Sequence, residues 1–343
     1  MLVQRSERRE RPATGSEDGG ERGPLTLYKV HKYTLALHCS VFASLFNGPR
    51  DALEAGSERY KGIPVMDLPD MEEDVRDFLK ALYFPSETSR HRHVSSPFRE
   101  SDTHWAVFPN SYGGILRLSA KYEASIIRNL IVEVLEMEWP DNFEVWSALQ
   151  ATMRDTIDVV LSRNTSGDLT PYYPDPVLAI RLAVDYSIPR VLPMAYYDLM
   201  RLLNDDEYIH NPDLARPRRA VNRISALKND EVQKVIVGRT LLQKMFHKYL
   251  SVFRIPYLPE CDGSCEDTVQ SWYKGLMAEF RHMESDPFLW IHNALELCES
   301  DSDTVECGNC IEWRSQQLRR MNHDLWRGLP SYFGLPGILS IWK

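Results

Sequence analysis

From Tyr28 to Phe46 the apolar positions Leu35, Cys39, Phe42, Leu45 and Phe46 recur at roughly helical spacing, which predicts a helix with one face in a core. Leu27 and Val30 precede it with a strand-like pattern, so His31 and Lys32 fall at a strand-to-helix junction, where His31 is expected to be a partly buried ring tying the two together. Ile63, Val65 and Leu68 predict a short strand, and Pro64 puts it near a sheet edge because proline has no N–H for a ladder. Asp70 is the expected N-cap of the next helix, with Glu73 completing a capping box. Val75, Phe78, Leu79 and Leu82 then form a stripe at i, i+3, i+4 and i+7, closed by Pro85. The pattern lapses over residues 87–110 and returns as two helices. Ile115, Leu118 and Tyr122 mark the first; Ile126, Ile127, Leu130, Ile131, Val134 and Leu135 mark the second, which Pro140 ends.

Beyond Asp141 the pattern is mainly helical. Phe143, Trp146 and Leu149 start one apolar face that Met153, Ile157 and Val160 continue. Ile180, Val184 and Ile188 form another before Pro189 interrupts it. Val232, Val235, Ile236, Leu242, Met245, Phe246 and Leu250 mark a further helix, in which Gly238 lacks the second glycine and the GK[ST] terminus of a phosphate loop.

Taken as an ordered set, VHKYTLALHCSVFASLF, IPVMDLPDMEEDVRDFLKALYFP and GILRLSAKYEASIIRNLIVEVL resemble a BTB/POZ domain of the divergent kind found in many fungal proteins. The ending LWRGLPSYFGLPGI, Leu325 to Ile338, extends that resemblance to the far end of the chain. The resemblance implies an α/β BTB/POZ-like domain over residues 25–140, followed by a mainly α-helical domain over 141–343. His31, Lys32, Phe42, Phe46, Leu79 and Tyr122 become its fold signature. It also implies a non-catalytic role in protein–protein association: a scaffold or regulatory adaptor, a substrate adaptor of a cullin-type ubiquitin ligase, or a transcription cofactor. Only the short LTLYK stands where the family usually carries a leading strand pair, so a monomer or weak homodimer is expected.

Composition changes this picture little. The chain has 343 residues, 43% hydrophobic and 26% charged, as globular proteins do. A formal charge of -9 supplies no general basic field, and the three arginines of ARPRR are too few to make nucleic acid an expected partner. Residues 1–24 mix charges with four glycines and lack an apolar core, so they read as a disordered leader, neither a secretory signal nor a membrane span. An intracellular protein, in cytoplasm or nucleus, follows as an expectation, with its cysteines reduced. His91 and His93 alternate with Arg90 and Arg92, whose charge disfavours a cation, so with His104 they read as an exposed loop.

The candidate chemistry lies in the cysteines, five of the six following residue 260. Cys307-Gly308-Asn309-Cys310 has the spacing that lets two thiolates reach one ion, with Gly308 relaxing the backbone between them. Cys261 and Cys265 would complete the four ligands of a structural zinc, with Cys298 as a rival ligand. Free thiols are the competing reading, whereas a thioredoxin-like site lacks the βαβ pattern it needs. HExxH, GxSxG, a calcium loop and a Walker sequence are all missing, so no catalysis is expected, and an unrecognised enzyme is the remaining alternative.

Overall fold

The computed structural model describes residues 2–5, 25–48, 59–85, 108–162, 175–203, 224–251, 261, 265–283, 286–300 and 307–342. His91, His93, His104, the ARPRR arginines and residues 6–24 lie outside them. The chain divides into two compact units, Met1–Glu138 and Trp139–Lys343.

In the first unit β1 (Leu2–Arg5) runs antiparallel to β2 (Leu25–Tyr28), Leu2 opposite Tyr28. The four residues of β1 are thus ordered as a strand within the stretch that the composition marks as a disordered leader. Helices α1 (Lys32–His38) and α2 (Ser40–Asn47) follow. Then β3 (Arg59–Tyr60) and β4 (Ile63–Pro64) pair across a two-residue loop, in which Lys61 (φ 49°) and Gly62 (φ 75°) both take the left-handed conformation that suits a tight hairpin. β5 (Met66–Leu68) adds in parallel to β1. Among the described residues three longer helices follow: α3 (Glu72–Tyr83), α4 (Phe108–Lys121) and α5 (Ser125–Glu138).

Glu72, Glu73 and Asp74 in the first turn of α3 and Lys80 in its last complement the helix dipole. The expected cap is not made: Met71 occupies the N-cap position, and Asp70 instead pairs with Lys121 Nζ at 2.6 Å and accepts the Tyr122 hydroxyl. A long-range charged partner outweighs the local cap, because an ion-assisted hydrogen bond is roughly twice as strong as a neutral one. Leu35, Phe42, Val75, Phe78, Leu116, Ile131 and Leu135 fill the core. Leu45 and Ile126, read as core from their spacing, are exposed by 40% and 59%.

The α/β BTB/POZ fold expected for this unit is not formed. Among the described residues its strands are two to four residues long and make one three-stranded and one two-stranded sheet, neither closed nor curved, while helices supply most of the structure. The resemblance rested on helical stripes, which many helical packings satisfy equally well. Strands this short cannot present the continuous face on which a sheet-based core is built. The assignment to the BTB/POZ proteins and to their fungal branch therefore does not stand.

The second unit is helical among its described residues. It comprises α6 (Phe143–Ser162), α7 (Pro176–Asp185), α8 (Leu192–Leu203), α9 (Asn229–Leu250), α10 (Glu266–Met283), α11 (Pro287–Ser300) and α12 (Gly308–Tyr332). Asp175 caps α7 by accepting the N–H groups of Val177 and Leu178, with Pro176 at the first helical position. Helix α8 is buried almost all round and packs against α7, α9 and α12, which makes it the axis of the unit. In α9, Val235, Leu242, Phe246 and Leu250 face inward whereas Ile236 is 60% exposed; in α7, Ile180 is buried and Val184 exposed. Gly238 is required by close approach, since a Cβ there would lie 2.1 Å from the Phe333 ring. No described helix is long and apolar enough to cross a membrane.

Candidate metal centre

Two of the helices that meet at the cysteine cluster begin there. Cys265 immediately precedes α10, and Cys307 is the N-cap of α12 with extended backbone (φ -74°, ψ 149°). Cys310 lies in the first turn of α12, while Cys261 stands four residues before Cys265. The chain between the two pairs carries α10 and α11, so the cluster closes a loop whose ends, Cys261 and Cys307, are 46 positions apart. Helix α11 packs on both α10 and α12 and thereby brings the ends together.

The four sulfurs lie within 4.8 Å of one another and are positioned to chelate a metal ion. Cys261, Cys265 and Cys310 are buried and Cys307 is half-buried. Cys307 Sγ is 3.8 Å from Cys261 Sγ. A tetrahedron of thiolates with Zn–S of about 2.3 Å has edges of about 3.8 Å, whereas a disulfide closes to about 2.05 Å. None of the six cysteines is bridged. The spacing thus suits ligands around an ion, and an all-sulfur set is the donor chemistry of structural zinc.

Local electrostatics favour a thiolate at Cys307. The N–H of Cys307 points at Cys265 Sγ, 3.1 Å away. The backbone N–H of Cys310, assisted by neighbouring thiols, lowers Cys307 to about 7, as expected at a helix N-terminus where donors lack intrahelical partners. Burial acts the other way on Cys310 and raises it. An ion would displace the protons still carried by its ligands, because thiolates are the species that bind it.

The structure joins all four cysteines read as zinc ligands and leaves Cys298 out of the set, buried on α11. Gly308 carries no left-handed φ and a Cβ there meets open space, so the turn does not depend on glycine. Cys39 is buried between α1 and α2, and burial pushes its thiol up to about 12. The residues marked as a fold signature lie in the first unit. His31 is exposed, not partly buried; it ties α1 to α3, its N–H donating to Tyr83 Oη at 2.7 Å. Lys32 Nζ sits 5.6 Å from the centre of the half-buried Phe46 ring. Phe42, Leu79 and Tyr122 are buried, with Phe42 stacked on Tyr122.

Sequence reading missed a buried polar network around α8. Asp286, the N-cap of α11, accepts the Tyr197 hydroxyl at 2.6 Å and pairs with Arg201 Nε at 2.7 Å. Arg201 Nη1 reaches Asp198 at 3.3 Å and Gln150 at 3.0 Å, and Trp139 Nε1 donates to the second Asp198 oxygen. Burial pushes the Asp198 carboxyl up to about 6 despite the opposing charge of Arg201. Beside Arg201, between Trp146 and Phe288, is a hollow of about 20 Å³, room for roughly one water. Nothing local could have announced this network, because its members are single polar residues scattered over four helices and their edges. No protein-family model matches the chain, and no curated protein or solved structure matches it.

Proposed function

We propose that the chain is a non-catalytic helical scaffold acting through protein contacts, with a zinc ion at Cys261, Cys265, Cys307 and Cys310 as the brace of its second unit. The closed four-sulfur set carries this reading. Catalytic zinc keeps a position for water or substrate, whereas four thiolates fill the tetrahedron. The ion's contribution is cross-linking: it pins the start of α10 to the start of α12 and so constrains the α10–α11–α12 segment. A covalent link closing a loop of comparable length stabilises by about 4 kcal/mol through lost chain entropy. The cullin-ligase adaptor and transcription-cofactor readings drew on the BTB/POZ resemblance alone and lose their ground with it.

Cys310→Ser tests the proposal. Elemental analysis should give about one zinc per chain for the wild type, little iron, and a markedly lower zinc content for the variant. Quantitative co-purification should recover a protein held in near-stoichiometric amount by the wild type and released by the variant. A metal-free wild type with freely titratable late thiols would remove the brace. Zinc without any stoichiometric partner would remove the scaffold role.

A further inference from the structure

We propose that the cysteine cluster is also a peroxide-responsive latch, in which Cys307 is the sulfur attacked and Cys261 the one that resolves it. This rests on the zinc reading above. Three observations favour this pair. Cys307 is the only one of the four that is not buried, so a small oxidant reaches its sulfur first. Cys261 Sγ lies 3.8 Å from it, close enough to bond after a displacement of roughly 2 Å. The two residues also belong to opposite halves of the site: Cys261 lies on the α10 side and Cys307 caps α12.

The chemistry balances with a hydroperoxide as oxidant. The Cys307 thiolate attacks one peroxide oxygen; an S–O bond forms, the O–O bond breaks, and the departing hydroxide takes a proton to leave as water. The resulting sulfenic acid is attacked at sulfur by the Cys261 thiolate. An S–S bond forms, the S–O bond breaks, and the second oxygen leaves as water after protonation. Two thiolates are oxidised by two electrons and one peroxide is reduced. Of the four ligands only Cys265 and Cys310 then remain, too few to hold zinc, so the ion is released. The disulfide keeps the helix starts joined, and a thiol reductant restores the ligand set.

The test uses the full-length zinc-loaded protein with hydrogen peroxide in equimolar amount. Zinc release is followed with a chromogenic chelator, and the disulfides are mapped by mass spectrometry after alkylation of free thiols. The expected result is about one zinc released per disulfide formed, a single bridge between the peptides holding Cys261 and Cys307, and recovery of the ligand set with dithiothreitol and added zinc. Cys298→Ser should leave release unchanged. A bridge of Cys307 to Cys310 instead, or Cys307 protected from alkylation loss while zinc departs, overturns the proposal. Failure of the zinc reading looks different: the purified protein then holds no zinc before any peroxide is added.

Discussion

Phe42 shows how single residues hold the first unit together. Its ring is 2% exposed and stacks on Tyr122 with centroids 4.6 Å apart, and the Tyr122 hydroxyl is in turn taken up by Asp70, which also holds Lys121. Removing the Phe42 ring would leave a cavity beside the rings of Phe46 and Tyr122. Truncations of this kind cost about 3 to 5 kcal/mol, a large part of the stability of an ordinary domain. Phe42→Ala should therefore lower the urea midpoint of the first unit strongly, whereas Leu45→Ala, at a position 40% exposed, should move it by well under half as much. Equal effects would show that the α2 register is wrong. The same residues mark where periodicity misleads. Leu45 and Ile126 extend an apolar arc that is wider than the neighbouring helices cover, so spacing predicts the face but not its edges.

At the level of elements, the second unit is organised by what α8 carries inward. Asp198 and Arg201, three residues apart on that helix, reach Trp139 before α6, Gln150 on α6 and Asp286 at the start of α11. Because burial raises the Asp198 carboxyl to about 6, the folded protein holds a proton there that an unfolded chain, with a carboxyl near 3.9, has already released. Stability from this group is present below about pH 4 and is lost as pH rises towards 6. Relative to Asp198→Asn, the wild type should become less stable between those limits and run parallel to it above them, as measured by thermal unfolding across a pH series. The opposite slope would mean that Arg201 and Trp139 hold Asp198 ionised in spite of its burial.

For the molecule as a whole, the two units offer separate spectroscopic handles. Of the eight tryptophans only Trp105 precedes the division at Trp139, so indole fluorescence reports almost entirely on the second unit. A bound ion adds stability only to the state that binds it. Chelation should therefore lower the thermal transition seen by tryptophan fluorescence by several degrees, and adding zinc back should restore it. A fluorescence transition indifferent to chelator would place the ion, if any, outside the stability of this unit.

The sequence by itself determined what depends on neighbours a few positions apart. The stripe of α3, the inward face of α9 at Val235, Leu242 and Phe246, and the two-residue spacing of Cys307 and Cys310 could all be read directly, because helical periodicity and ligand spacing are local properties. The union of Cys310 with Cys261 and Cys265 was only one arrangement among several until the packing of α11 against α10 and α12 brought the pairs together. Tertiary structure alone decided that Asp70 serves Tyr122 and Lys121, that Asp198, Arg201 and Asp286 share one buried network, and that helical stripes resembling an α/β domain belong to a mostly helical unit. Each of those outcomes turns on which distant group arrives to satisfy a charge or cover an apolar face, and local spacing carries no record of that.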